Sequence, residues 1–154
     1  VATPILQALL LADHVYQDRS TGKHVICGVF NTVYFIPEEQ RQAKADASQG
    51  GAGESLTVSA MELMRAGSPF AYLSLTEIQG SKKFELRYVD LSENTALFST
   101  SFGVRSQDPL QTVEIVIPLP SLPAPREGAF ALELLCDNEL LGAHRVLVKR
   151  NPHT

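Results

Sequence analysis

The sequence predicts an all-β fold, an antiparallel β-sandwich of about eight strands. Three observations lead there. Short blocks of alternating apolar and polar residues recur along the chain, each closed by a turn signal. The chain opens and closes with a hairpin pattern. Just ahead of the closing hairpin, Pro118 to Pro125 carries four prolines. Proline cannot serve a central ladder, so this stretch reads as an extended crossover from one sheet to the other.

The elements follow in order. Ala8 to Tyr16 alternates as a strand, and Gln17 to Lys23 is a polar hairpin loop with Gly22 near its end. His24 to Phe35 runs back. Its apolar residues fall on both faces, Val25, Cys27 and Val29 opposite Ile26 and Phe30, which predicts a central strand. Gly28 inside it predicts a bulge or a close approach by another backbone. The pattern then breaks over a flexible insert at about 37–54, where the Gln40 to Gly53 stretch is rich in Gln, Ala and Gly. Ser55 to Arg65 reads equally as strand or short helix.

Phe70 to Ile78 is the next strand. Phe84, Leu86 and Tyr88 then alternate with Glu85 and Arg87, and Phe98, Phe102 and Val104 share a face opposite Ser and Thr. Val113, Ile115 and Ile117 make a further strand. The closing hairpin is the clearest: Phe130, Leu132, Leu134 and Cys136 on one face, a turn at Asp137-Asn138-Glu139, and Leu140 to Val148 returning. With its connector between sheets, this pattern predicts an immunoglobulin-like or C2-like sandwich in a single domain spanning 1–154.

Composition narrows the function. The chain has 154 residues, 44% hydrophobic and 19% charged, as an ordinary globular domain has. A formal net charge of -4 gives no positive field to recruit nucleic acid or anionic lipid. No apolar run reaches the roughly 20 residues of a membrane helix. Leu9 to Ala12 lacks the flanks of a signal peptide, so a cytoplasmic location is expected. Cys27 and Cys136 belong to no CxxC motif and are expected as buried thiols, the alternative being one disulfide.

Catalytic patterns are missing. There is no G-x-S-x-G elbow, P-loop or dinucleotide fingerprint. Glu114 and Glu133 occur where alternation already demands a polar residue. Asp13, Asp18, Asp90, Glu93, Asp108 and Asp137 fall near strand ends, where acids commonly form turns rather than bind calcium. The alternative to a binding module is an ion-binding or metal-dependent hydrolase domain on the first hairpin loop, with His14, His24, Asp13 and Asp18 as ligands. The leading expectation is a non-enzymatic module without cofactors. Its partner is a protein or a second copy, engaged through sheet edges and the Leu-rich closing hairpin at Leu135, Leu141 and Leu147.

The opening Leu10-Leu11-Ala12-Asp13-His14-Val15, then Gly22-Lys23, then Ile26-Cys27-Gly28-Val29-Phe30-Asn31, resembles that of a family of small uncharacterised bacterial proteins with an AD…GK…IxGVFN-type start. The closing Gly128 to Leu134 and Arg145 to Val148 are similar too, while the Gln40 to Gly53 insert departs from the pattern. The resemblance implies a β-sandwich in a bacterial, intracellular protein and supplies no activity or catalytic residue.

Overall fold

A computed structural model describes residues 2–35 and 68–151. The insert expected at 37–54 and the ambiguous Ser55 to Arg65 stretch lie outside them. Every regular element among the described residues is a strand. In chain order they are β1 (Ile5–Gln17), β2 (His24–Val29), β3 (Thr32–Phe35), β4 (Phe70–Thr76), β5 (Gly80–Asp90), β6 (Thr95–Ser106), β7 (Val113–Pro118), β8 (Gly128–Cys136) and β9 (Glu139–Arg150). They form a sheet in the order β2-β1-β4-β7 and another in the order β3-β9-β8-β5-β6. The Pro-rich stretch does join the two sheets, since β7 belongs to the first and β8 to the second.

The period-two pattern is realised as burial. Leu9 and Leu11 of β1, Ala71, Leu73 and Leu75 of β4, Phe84, Leu86 and Tyr88 of β5 and Phe130, Leu132, Leu134 and Cys136 of β8 make one core. Each lies two residues from the next along its strand, so each strand offers one face to the interior. Phe102 stacks on Phe84, while Phe98 and Phe130 both stack on Tyr88. The alternation read in β6 thus becomes a layer of offset rings.

Two expectations are corrected. The expected His24 to Phe35 strand divides into β2 and β3, giving nine strands among the described residues. The division falls at Phe30-Asn31, where the chain changes sheets. The Phe30 N–H donates to the Leu11 carbonyl at 3.1 Å, and the Leu147 N–H to the Asn31 carbonyl at 2.8 Å. The short β3 then pairs with β9 in parallel, from Thr32 opposite Leu147 to Phe35 opposite Arg150, so the fold is not wholly antiparallel.

The second correction concerns position. β2 is not central but lies at the edge of its sheet. Cys27 is therefore exposed, whereas Cys136 is buried, and both thiols are free.

Gly28 earns its place twice. Its φ is +72°, a left-handed conformation that costs any other residue, and an added Cβ would stand 2.5 Å from Asp13 Oδ2. Asp13 is an exposed side chain whose end can move aside. The backbone conformation therefore sets the cost, and Gly28→Ala is expected to destabilise the fold by about 1 kcal/mol in denaturant unfolding.

Candidate functional site

The polar groups converge around the β1–β2 hairpin. Its loop is organised by Asp18. The Asp18 carboxylate accepts from the Ser20 hydroxyl at 2.6 Å, the Ser20 N–H at 2.7 Å and the Thr21 N–H at 3.2 Å. These bonds, the Ser20 hydroxyl foremost, hold its carboxyl below the usual range. Asp18 is thus occupied as a turn-former. His14, opposite Cys27 in the ladder, stacks on Tyr16 with ring centroids 5.9 Å apart.

His24 reaches elsewhere. Its Nδ1 lies 3.0 Å from Glu114 Oε2 on β7. Its ring lies against Tyr72 of β4, centroids 5.6 Å apart. The Tyr72 hydroxyl donates to the same Glu114 oxygen. Burial first, and then the Glu114 carboxylate, pushes the Tyr72 phenol up to about 12. His24 Nδ1 is shut off from water, and its close approach to Glu114 lacks hydrogen-bond alignment, so the pairing is one of proximity. Three strands of one sheet therefore meet in one cluster. Its members lie far apart in the sequence, and no local motif pointed to it.

The remaining candidates are dispersed. No three His, Cys, Asp or Glu side chains among the described residues are grouped to hold a metal ion, so His14, His24, Asp13 and Asp18 do not converge. Glu133 pairs with Arg87 at 3.0 Å in the other sheet, away from the cluster that holds Glu114. Asp90 accepts from the Ser92 N–H at 2.9 Å and Asp108 from the Leu110 N–H at 2.9 Å. Asp137 adopts φ +49° in the closing turn. These acids are used by the backbone beside them.

The apolar candidates divide as well. Leu135 is buried, and Leu141 is partly buried against the core. Leu147 and its strand-mate Leu140 are 37% and 52% exposed. The larger exposed set is Val25 at 47% and Val29 at 54%, which hydrophobic patterning places inside, together with Tyr16 at 56%. The ladder puts Tyr16 opposite Val25 and His14 opposite Cys27, so these side chains share a face of the hairpin.

No helix among the described residues is long and apolar enough to cross a membrane. No protein-family model matches the chain, and no curated protein matches it closely enough to count as a relative. What the fold defines is an all-β protein of two sheets.

Proposed function

We propose that this protein is a non-enzymatic interaction module, a β-sandwich of immunoglobulin-like or C2-like type. It binds a protein partner or a second copy through a sheet edge. One observation carries the reading: β2 is an edge strand that exposes Val25, Cys27 and Val29. Edges are normally blunted by lysine, proline or an inward charge, because their free N–H and C=O groups template pairing with another chain. Within His24–Val29 there is no lysine, proline or carboxylate. The other edge of that sheet, β7, carries Glu114 and ends in Pro118. An unprotected edge opposite a protected one fits strand addition by a partner, with backbone bonds giving affinity and alternate side chains giving selectivity. Leu140 and Leu147 on β9 supply a second apolar contact in the closing hairpin. The opening motif supports a bacterial and cytoplasmic setting. No observation among the described residues favours the ion-binding alternative.

The test is sedimentation velocity of the full chain over a range of concentrations, beside native mass spectrometry of what it retains from its native lysate. Wild type is expected to form a defined homomeric or heteromeric species. Val25→Lys combined with Val29→Lys is expected to abolish that species with little loss of stability, because both side chains already face water. A chain that stays monomeric at all concentrations and retains no defined partner overturns the proposal.

A further inference from the structure

We infer that the outer part of the β1–β2 hairpin is a hinged arm, latched onto the face of its own sheet by His24, Glu114 and Tyr72. The inference begins with a distance that a flat sheet cannot satisfy. Within the ladders, His24 stands opposite Gln17 at the far end of β1, whereas Glu114 stands opposite Ser74, which stands opposite Ala8. In a straight sheet the separation along β1 alone would be about 30 Å. His24 Nδ1 and Glu114 Oε2 are 3.0 Å apart. The end of the hairpin must therefore double back across β4 toward β7. It does so on the face away from the core, because Leu73 and Ile115 point inward and their neighbours Tyr72 and Glu114 do not.

The bend has a visible location. β1 pairs with β4 from Ile5 to Ala12 and with β2 from Ala12 to Gln17, so Ala12 is where one partner ends and the other begins. Alternation fails at the same place: Leu11 and Ala12 are both buried, and Asp13 and His14 are both exposed. Across the ladder from Asp13 is Gly28, with its left-handed φ of +72°. Below the bend the base is fixed. Phe30 N–H holds the Leu11 carbonyl, and His144 Nε2 lies 2.9 Å from the Phe30 carbonyl. A firm base, a glycine-containing bend and the contact of His24 with Tyr72 and Glu114 near the tip are the parts of a strap. Releasing the latch would swing β2 away from β4 and β7 and uncover Tyr72 and Glu114. The inference stands on this geometry and does not depend on the association proposed above.

Native-state hydrogen exchange of the full chain tests it. His24→Ala is expected to speed exchange by about tenfold in residues 13–28, the change that follows from removing a largely buried ring packed against Tyr72, with β5 and β8 unaltered. A second variant guards against mere unfolding. Glu114→Ala removes the other half of the latch from a strand outside the arm. It should speed exchange in the same residues 13–28 and leave β5 and β8 as they are in wild type. Unchanged exchange in the arm of His24→Ala overturns the inference. So does an equal rise across both sheets, because the contact would then hold the whole fold and not an arm.

Discussion

Tyr88→Ala is expected to cost about 3–5 kcal/mol of stability, whereas Tyr88→Phe is expected to cost nothing or to stabilise. Tyr88 is fully buried near the end of β5, its ring stacked between Phe98 and Phe130. Alanine removes the ring from both partners and leaves a cavity that two strands of the same sheet cannot close. The hydroxyl is another matter. It is buried without a hydrogen-bond partner among the described residues. Removing a desolvated, unpaired hydroxyl gives up no bond and relieves its burial. The same environment pushes the Tyr88 phenol up to about 12, through burial first and the Asp90 charge second. Its ordinary value is 10. The folded state therefore keeps a proton that the unfolded chain releases. Stability is whole below the unfolded value and declines as pH rises from it toward the folded one. Tyr88→Phe should lessen that alkaline decline. Denaturant unfolding of the three proteins at neutral and alkaline pH checks both statements, and a Phe variant less stable than wild type would mean that the hydroxyl has a partner.

The strands around Tyr88 were legible because each buries one face. Phe84, Leu86 and Tyr88, and Phe130, Leu132 and Leu134, alternate without a break, and that period has one structural solution. β2 was misplaced for the converse reason. Apolar residues on both faces, Val25 and Cys27 against Ile26, suggest burial between neighbours. Here the strand lies on a hairpin that doubles back on its own sheet, with Ile26 half-buried and Val25 and Cys27 exposed. Local pattern cannot separate these cases, since both put apolar residues on two faces. The parallel pairing of β3 with β9 was hidden too, because it joins residues over a hundred positions apart.

The candidate site was harder to read than the fold. His24 was singled out for its nearness in sequence to His14, Asp13 and Asp18, but its partners come from β4 and β7. Alternation alone makes Glu114 an outward residue. It does face away from the core, and the hairpin returns to meet it there. The one local trace of the arrangement was Gly28. A glycine in a strand marks a departure from regular geometry, and the departure here is the bend that brings His24 back.

Asp90→Asn is expected to weaken the fold at neutral pH and to make it less sensitive to acid. Asp90 closes β5 and is shielded from solvent. Its Oδ1 accepts from the backbone N–H groups of Ser92 and Glu93, which sets the β5–β6 turn. Its Oδ2 pairs with Arg126, whose other guanidinium nitrogen donates to Glu93 at 2.8 Å. Arg126 belongs to the crossover from β7 to β8, so this one carboxylate ties the end of a central strand to the segment joining the sheets. Burial works against its charge, but the Arg126 bond and the two N–H groups outweigh it and hold the carboxyl below its ordinary 3.8. The sign follows from that direction. The contribution is whole above the unfolded value and is lost as pH falls below 3.8 and through the lower folded value. Asparagine keeps an acceptor for the turn but faces Arg126 without a charge. The stability gap between wild type and Asp90→Asn should therefore be widest at neutral pH and narrow below the carboxylate range. Thermal unfolding of both proteins across that range is the measurement. A gap that stays constant with pH would show that the carboxylate charge of Asp90, toward Arg126 and toward the turn N–H groups alike, adds nothing to the fold.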